Sequence, residues 1–163
     1  MTNSLYTAMN SQINAELWSA YLYLSMSLNA EKLGYSGIAN WFYHQHQEEQ
    51  SHARLFQEFM QERDVPITLL PIEAVPTSWN TIEEMFEKTL EHEQQVTLRI
   101  NHLMAIAKEQ KDYMAEERLW WFIREQLEEE ATARGILMDL RLIDGDRVGL
   151  YHLNERLGKR AAS

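Results

Sequence analysis

The fold is decided by residues 42–59, whose sequence is FYHQHQEEQSHARLFQEF. The phenylalanines near both ends of this stretch recur at the three- and four-residue steps of one helix face, as in an amphipathic helix. Glu49 and His52 lie on that same face, where a buried stripe should be apolar. Acid groups and an imidazole at one buried level need a compensating cation. The stretch therefore predicts a helix that carries polar ligands into a core.

The same helical period runs along most of the chain, and strand signals are nearly absent. We therefore expect an all-α protein, namely a four-helix bundle with a long crossover connection and a short fifth C-terminal helix. The helices are predicted at about residues 4–32, 37–63, 81–110, 113–143 and 146–158, within a single domain spanning residues 1–163. Thr81-Ile-Glu-Glu84 fits a capping box, and Asp112 is expected to cap the fourth helix. Residues from Lys159 onward are predicted to form a frayed tail.

Two tight turns decide which polar positions meet. In an antiparallel hairpin, two residues share a height when they lie equally far from the turn. The midpoint of Glu16 and Glu49 is 32.5, beside Gly34, and the midpoint of Glu93 and Gln126 is 109.5, at the turn between the third and fourth helices. Each hairpin thus brings its polar group to a level about 23 Å along the helix from its turn.

The connection between the second and third helices contains Pro66, Pro71 and Pro76 and has no helical pattern. Its roughly seventeen residues can stretch about 55 Å, which exceeds the roughly 39 Å length of a 26-residue helix. The connection can therefore cross the whole bundle and make the third helix parallel to the second. A shift of 77 positions then relates the two hairpins and maps positions 16, 49 and 52 onto 93, 126 and 129.

The composition restricts the chemistry of any site. The chain has no cysteine, which excludes disulfides, thiolate zinc sites and a rubredoxin-type iron centre. Its formal net charge of −10 opposes nucleic acid and anionic membranes as partners and favours cations. We find no secretion signal and no apolar run long enough for a membrane span, so a cytoplasmic location is expected.

Four glutamates, one from each long helix, share the predicted buried level: Glu16, Glu49, Glu93 and Glu129. Two divalent cations would neutralise their four charges, so a two-metal centre is predicted. His52 lies one helical turn beyond Glu49 and can supply a nitrogen ligand, while the two oxygens of Glu49 can bridge both metals. The fourth helix carries Gln126 at the position that corresponds to Glu49. We therefore predict unequal affinities for the two metals.

Simpler readings exist for each signal taken alone. A lone Glu-x-x-His on a helix is usually a solvated pair. Tyr23 points at the same core, either as a buried hydrogen-bonded side chain or in a redox or metal-supporting role. The residues alone favour a packing role for Trp121. The chain could also be a di-metal oxygenase acting on an organic substrate, although little of it is left to build a substrate pocket. A structural bundle whose core acids are protonated or hydrated is a third alternative.

Four motifs follow one another along nearly the whole chain: Asn14-Ala-Glu16-Leu, Gln47-Glu-Glu49-Gln-Ser-His52, His92-Glu93-Gln and Glu125-Gln-Leu-Glu-Glu129-Glu. In type and order they resemble the motifs of bacterial non-haem ferritins. The resemblance implies iron storage by a homo-oligomeric cage of 24 subunits. It also implies ferroxidase activity, in which Fe(II) is oxidised by dioxygen or hydrogen peroxide and deposited as ferric mineral.

The resemblance also implies roles for individual residues. The first iron would be held by Glu16, Glu49 and His52 with Gln126 nearby, and the second by Glu49, Glu93 and Glu129. An adjoining third iron site, toward the cavity, would be formed by Glu48, Glu125, Glu128 and Glu129. Tyr23 and Trp121 would be electron donors near the centre. Bacterioferritins carry a haem-ligating methionine where this chain has Gln50, so haem is not expected.

Overall fold

A computed structural model describes residues 3–161 of the protein, and within them it contains five α-helices and no strand. The helices are α1 (Ser4–Lys32), α2 (Ser36–Glu62), α3 (Ile82–Gln110), α4 (Tyr113–Ile143) and α5 (Arg147–Leu157). The predicted all-α fold, a four-helix bundle with a crossover connection and a short fifth helix, is confirmed. Each predicted helix bound lies within one residue of the observed one. None of the helices in the described part of the chain is long and apolar enough to cross a membrane.

Side-chain caps set the beginnings of α3 and α4. Thr81 Oγ1 accepts a hydrogen bond from the Glu84 N–H at 3.1 Å. The Glu84 carboxylate accepts from the Asn80 N–H at 2.8 Å, one residue earlier than in a standard capping box. Asp112 accepts from the Ala115 N–H at 3.1 Å, as the sequence predicts. These bonds satisfy backbone donors that the first turn of a helix leaves unpaired.

Short turns close the two hairpins. The turn between α1 and α2 includes Gly34 at φ +93°, a conformation in which a side chain would be strained. The turn between α3 and α4 passes through Lys111 at φ +56°. Arg63, which directly follows α2, makes a two-pronged ion pair with Asp112, at 2.9 and 2.8 Å, and so joins the end of α2 to the α3–α4 turn.

The crossover between α2 and α3 runs along α1 from its first turns to its last. The Asn10 and Asn14 amides donate to crossover carbonyl oxygens at residues 68 and 70, at 2.9 and 3.2 Å. Further along, Ser25 Oγ donates to the Pro76 carbonyl oxygen at 2.6 Å, and Asn29 donates to the Trp79 carbonyl oxygen at 3.4 Å. Since α3 begins near the end of α1, α3 runs parallel to α2, as the length of the connection predicts.

The core is divided into two apolar clusters along the bundle. One cluster, at the α1–α2 turn and against α5, includes Met26, Phe42, Phe86, Leu137 and Leu153. The other, toward the α3–α4 turn, includes Met9, Phe56, Ile100, Leu119 and Phe122. On every long helix the predicted ligand positions fall between these clusters. Burial of the two clusters therefore fixes the four helices on both sides of a polar layer.

The chain does not fray at residues 159 and 160. Asn40 Nδ2 donates to the carbonyl oxygens of Gly158 and Arg160 at 3.2 and 3.1 Å. The Arg160 guanidinium lies 4.7 Å from the centre of the Trp41 ring, where cation–π attraction stabilises it. The predicted frayed tail is thus wrong up to Arg160, and residues 162–163 lie outside the described part of the chain.

Candidate metal centre

The polar layer gathers six predicted ligands from all four long helices. Five of them are buried: Glu16, Glu49, His52, Glu93 and Gln126. Glu129 is partly exposed. The helical period places each on the inward stripe of its helix, and the two hairpin turns bring them to one height, as predicted from the midpoints.

One three-ligand group consists of Glu16, Glu49 and His52, which offer ligand atoms within 4.8 Å of one another. His52 Nδ1 lies 3.3 Å from Glu49 Oε2 and 3.9 Å from Glu16 Oε2. Both of these Oε2 atoms are buried and have no hydrogen-bond partner within residues 3–161. A buried carboxylate oxygen without a partner is costly, and hard cations bind such oxygens. The group is therefore suited to a metal ion.

A second group consists of Glu49, Glu93 and Glu129, again with ligand atoms within 4.8 Å of one another. Glu49 belongs to both groups, which is the arrangement needed for a carboxylate that bridges two metals. Ligand atoms of His52, Glu125 and Glu129 also lie within 4.8 Å of one another. The side chains can thus surround two neighbouring cations, and the second lies on the more exposed side.

Glu93 is held by two neighbouring side chains. The Tyr23 hydroxyl donates to Glu93 Oε1 at 2.5 Å, and Gln126 Nε2 donates to Glu93 Oε2 at 3.1 Å. Gln126 also donates to Thr97 Oγ1 at 3.3 Å. These contacts place Gln126 against Glu93, on the side of the second group, whereas the resemblance implies a position near the first. The Trp121 ring, 38 % exposed, stands edge-on to the His52 ring at 5.7 Å between centroids.

Two glutamines that belong to none of the predicted ligand sets hold the ligands. Gln12 donates to Glu16 Oε1 at 2.9 Å. Gln45 donates to Glu129 Oε2 at 2.7 Å and to Glu49 Oε1 at 3.4 Å. Gln45 follows Gln12 by 33 positions, the same spacing that separates Glu49 from Glu16. The repeated spacing was therefore a signal that could have identified both glutamines.

A buried histidine lies beside the centre without facing the ligands. His92 Nε2 is 2.7 Å from Ser19 Oγ, and its ring lies edge-on to Tyr23 at 5.8 Å. Burial, and to a lesser extent the charge of Arg99, lowers the pKa of His92 to about 4. The ring is therefore neutral at pH 7 and joins α3 to α1 next to Glu93. No local sequence pattern indicates this role, because Ser19 lies 73 residues away.

The crowded carboxylates resist ionisation when no cation is bound. Burial, followed by repulsion from Glu49, raises the pKa of Glu16 well above its usual value, and burial followed by repulsion from Glu93 does the same to Glu49. Burial raises the pKa of Glu93 to about 7, and burial together with the charges of Glu93 and Glu48 raises that of Glu129 to about 9. The metal-free centre therefore retains protons that a bound cation would displace.

The residues of the predicted third site are less closely grouped. Glu125 Oε1 lies 3.8 Å from His52 Nε2, while Glu48 Oε2 lies 2.9 Å from Arg160 Nη2. Glu128 is exposed. Within residues 3–161, neither Glu48 nor Glu128 belongs to a group of three side chains whose ligand atoms lie within 4.8 Å of one another. The third site thus stays a prediction.

Comparison with known proteins agrees with this geometry. A family model described as a ferritin-like domain matches residues 6–143. The bacterial non-heme ferritin of Bacteroides fragilis (strain 638R) is 41 % identical over 160 residues, covering 98 % of this chain and 99 % of that protein. The bacterial non-heme ferritin of Staphylococcus aureus (strain MRSA252) is 33 % identical over 160 residues, covering 98 % and 96 %.

Solved structures give the same result for the fold. An open pore ferritin from the hyperthermophilic archaeon Archaeoglobus fulgidus superposes with a TM-score of 0.97 at 40 % identity, covering 99 % of both chains. A humanized archaeal ferritin superposes with a TM-score of 0.98 at 39 % identity, covering 100 % of this chain and 99 % of that one. Sequence, fold and ligand arrangement thus agree along nearly the whole chain, and the chain belongs to the ferritin family.

Proposed function

We propose that this protein oxidises Fe(II) to Fe(III) at the polar layer of each subunit and stores the product as ferric mineral. The observation that carries the proposal is the position of Glu49, whose carboxylate is shared by two three-ligand groups. Ferroxidase activity and iron storage are the functions of the ferritin family, and iron is the metal that this centre handles. A single domain of residues 1–163 carries the whole site.

The two Fe(II) ions have separate ligand sets in this proposal. Glu16, Glu49 and His52 bind the first, and Glu49, Glu93 and Glu129 bind the second. Carboxylate oxygens are hard ligands that stabilise Fe(III) relative to Fe(II), which favours oxidation. Gln126 is held against Glu93 and supports the second ion. Because residue 126 is a glutamine and not a glutamate, the second ion has one carboxylate fewer around it.

Iron binding and oxidation at this centre involve both protons and electrons. Ligands must be deprotonated to bind a cation, so Glu93 and Glu129 release protons when Fe(II) binds. Oxidation of two Fe(II) ions supplies two electrons, which reduce dioxygen to hydrogen peroxide with uptake of two protons, or reduce hydrogen peroxide to water. In this proposal Tyr23, which donates to Glu93, and Trp121, which lies against the His52 ring, each supply one further electron, and these two electrons reduce hydrogen peroxide to water with uptake of two more protons.

Iron leaves the centre past the partly exposed carboxylates. A surface pocket of about 460 Å³ is lined by His52, Trp121, Glu125 and Glu48 among others. We infer that Glu48, Glu125, Glu128 and Glu129 form a third iron site on this side. Homo-oligomeric assembly into a cage of 24 subunits, in the cytoplasm, would enclose the mineral.

The mass of the assembled particle and its iron uptake test the proposal together. We expect a 24-subunit mass and tight binding of two Fe(II) ions per subunit under anaerobic conditions. Admission of air should then give rapid oxidation and a soluble ferric product. A protein that takes up oxygen only when an organic substrate is added would support the oxygenase alternative instead. A protein that binds no iron would support the purely structural one.

A further inference from the structure

Arg160, beyond the end of α5, returns to the metal centre. Its Nη1 donates to Gln45 Oε1 at 3.0 Å and to the Trp41 carbonyl oxygen at 3.1 Å. Its Nη2 lies 2.9 Å from Glu48 Oε2. The Arg160 side chain is only 18 % exposed. The guanidinium is thus fixed by contacts with three residues of α2.

The contact with Gln45 determines how that amide is oriented. A guanidinium only donates hydrogen bonds, so the Gln45 oxygen must face Arg160. The Gln45 nitrogen then faces the opposite way, where it donates to Glu129 Oε2 at 2.7 Å and to Glu49 Oε1 at 3.4 Å. A reversed amide would place an oxygen against two carboxylates and its NH2 group against a cation. Arg160 therefore selects the orientation of Gln45 that holds both ligands.

The contact with Glu48 places a fixed positive charge beside the predicted third iron site. Glu48 faces the same pocket as Glu125 and His52. A cation that binds Glu48 must compete with a guanidinium that is attached to the chain. This competition weakens cation binding on the outer side of the centre.

We propose that Arg160 is a positioning residue of the metal centre, which fixes the Gln45 amide on Glu129 and opposes cation binding at Glu48. The inference rests on the proposed function, because it assigns cations to Glu129 and Glu48. It concerns a residue that contacts no cation itself and acts through its two neighbours.

The test uses Zn(II), which is not oxidised, in anaerobic calorimetric titrations of the assembled protein. In Arg160→Ala, we expect the affinity of the cation held by Glu129 to fall about fivefold. The affinity at Glu48 should rise about fivefold, the factor that a contribution of about 1 kcal/mol gives. The Glu48 cation is identified by its loss in Arg160→Ala/Glu48→Gln. Arg160→Lys keeps a positive charge beside Glu48, so it should restore the weak affinity there to within about twofold of the wild type.

Lys159→Ala is the matched control. Lys159 is exposed, and its removal changes the net charge by the same amount. The inference is refuted if Arg160→Ala and Lys159→Ala titrate alike. If only the affinity at Glu129 or only the affinity at Glu48 changes, the effect of Arg160 on the other position is refuted. Wild-type protein that binds neither Zn(II) nor, in the same titration, Fe(II) refutes the proposed function, and this inference with it.

Discussion

The Tyr23 hydroxyl donates a hydrogen bond to Glu93 Oε1 at 2.5 Å, and it joins two residues that are 70 positions apart in the chain. Tyr23 is fully buried, so this bond is made away from competing water. Since Gln126 holds the other carboxylate oxygen, the orientation of Glu93 is fixed before any cation arrives. The tyrosine is therefore part of the support of the second metal position as well as a proposed electron donor.

Tyr23→Phe should slow the initial oxidation of Fe(II) by at least roughly tenfold, the usual cost of removing a group that supports a ligand. The substitution frees Glu93 Oε1 and removes a redox-active hydroxyl. Stopped-flow absorbance after mixing with Fe(II) in air measures this rate. Tyr21→Phe, at a 52 % exposed tyrosine of the same helix, is the control and should oxidise Fe(II) at the wild-type rate. Equal rates for both variants would show that Tyr23 has no role.

Glu49→Gln should abolish the fast oxidation phase. The amide keeps the size of the side chain but loses the charge and one of the two oxygens that can bridge the metals. The same stopped-flow experiment measures the effect. Glu58→Gln, on the same helix with 43 % of its side chain exposed, should retain the fast phase. A fast phase that survives in Glu49→Gln would refute the bridging assignment.

Glu129→Ala should slow turnover and weaken the second cation while it spares the first. Glu129 belongs to the group with Glu49 and Glu93, and it is absent from the group with Glu16 and His52. Anaerobic calorimetry with Fe(II) should therefore show one tight equivalent per subunit and one weakened equivalent. Two equivalents of unchanged affinity would contradict the assignment.

Metal-free protein should lose stability as the pH rises from about 7 to about 9. In the folded state the pKa of Glu93 is raised to about 7 and that of Glu129 to about 9, from an ordinary value of 4.5. The folded chain thus binds more protons than the unfolded chain above pH 4.5, and stability falls until the pH passes each folded-state pKa. Below pH 6.5, His92 acts in the opposite direction, because its pKa is lowered to about 4.

The measurement is the thermal unfolding midpoint of chelator-treated protein within this pH window. Added Zn(II) should raise the midpoint and flatten its dependence on pH, since a cation replaces the retained protons. Glu129→Gln should also flatten the dependence without metal. A midpoint that rises with pH in the metal-free protein would contradict the shifted pKa values.

Asp112→Ala should destabilise the subunit by about 2 kcal/mol, because it removes both a helix cap and an ion pair. Asp112 accepts from the Ala115 N–H and from two nitrogens of Arg63. The hydrogen bonds from Arg63 lower the pKa of Asp112 most, and the bond from the Ala115 N–H lowers it further. Asp112→Asn retains a capping oxygen and should lose about half as much. Chemical denaturation at neutral pH measures both, and equal losses would refute a separate role for the cap.

The sequence predicted the helices well because burial along each stripe is a local pattern. Gly34 and the turn after Gln110 then placed Glu16 against Glu49 and Glu93 against Gln126 by simple counting. The family motifs supported the same positions. The helical periodicity predicted where along the bundle the site lies. The resemblance to ferritins indicated that the metal is iron.

Contacts between distant parts of the chain could not be read in this way. Nothing in the Lys159-Arg160 pair indicates that the guanidinium returns to Gln45, 115 residues earlier. The partner of His92 is equally remote in the sequence. Such contacts depend on how α5 and α3 pack against the other helices, and no local sequence pattern contains this information. Gln45 differs from these two cases, because its spacing of 33 residues from Gln12 repeats that of Glu49 from Glu16 and is visible in the sequence.

The distribution of the ligands along the chain has a consequence for folding. Glu16, Glu49 and His52 all belong to the α1–α2 hairpin, whose two helices are joined by a short turn. Contacts between sequence neighbours form faster than contacts that close a long loop. The ligand set of the first ion can therefore form as soon as the α1–α2 hairpin has folded. The ligand set of the second ion forms only after the α3–α4 hairpin, which follows the long crossover, has packed against the first hairpin.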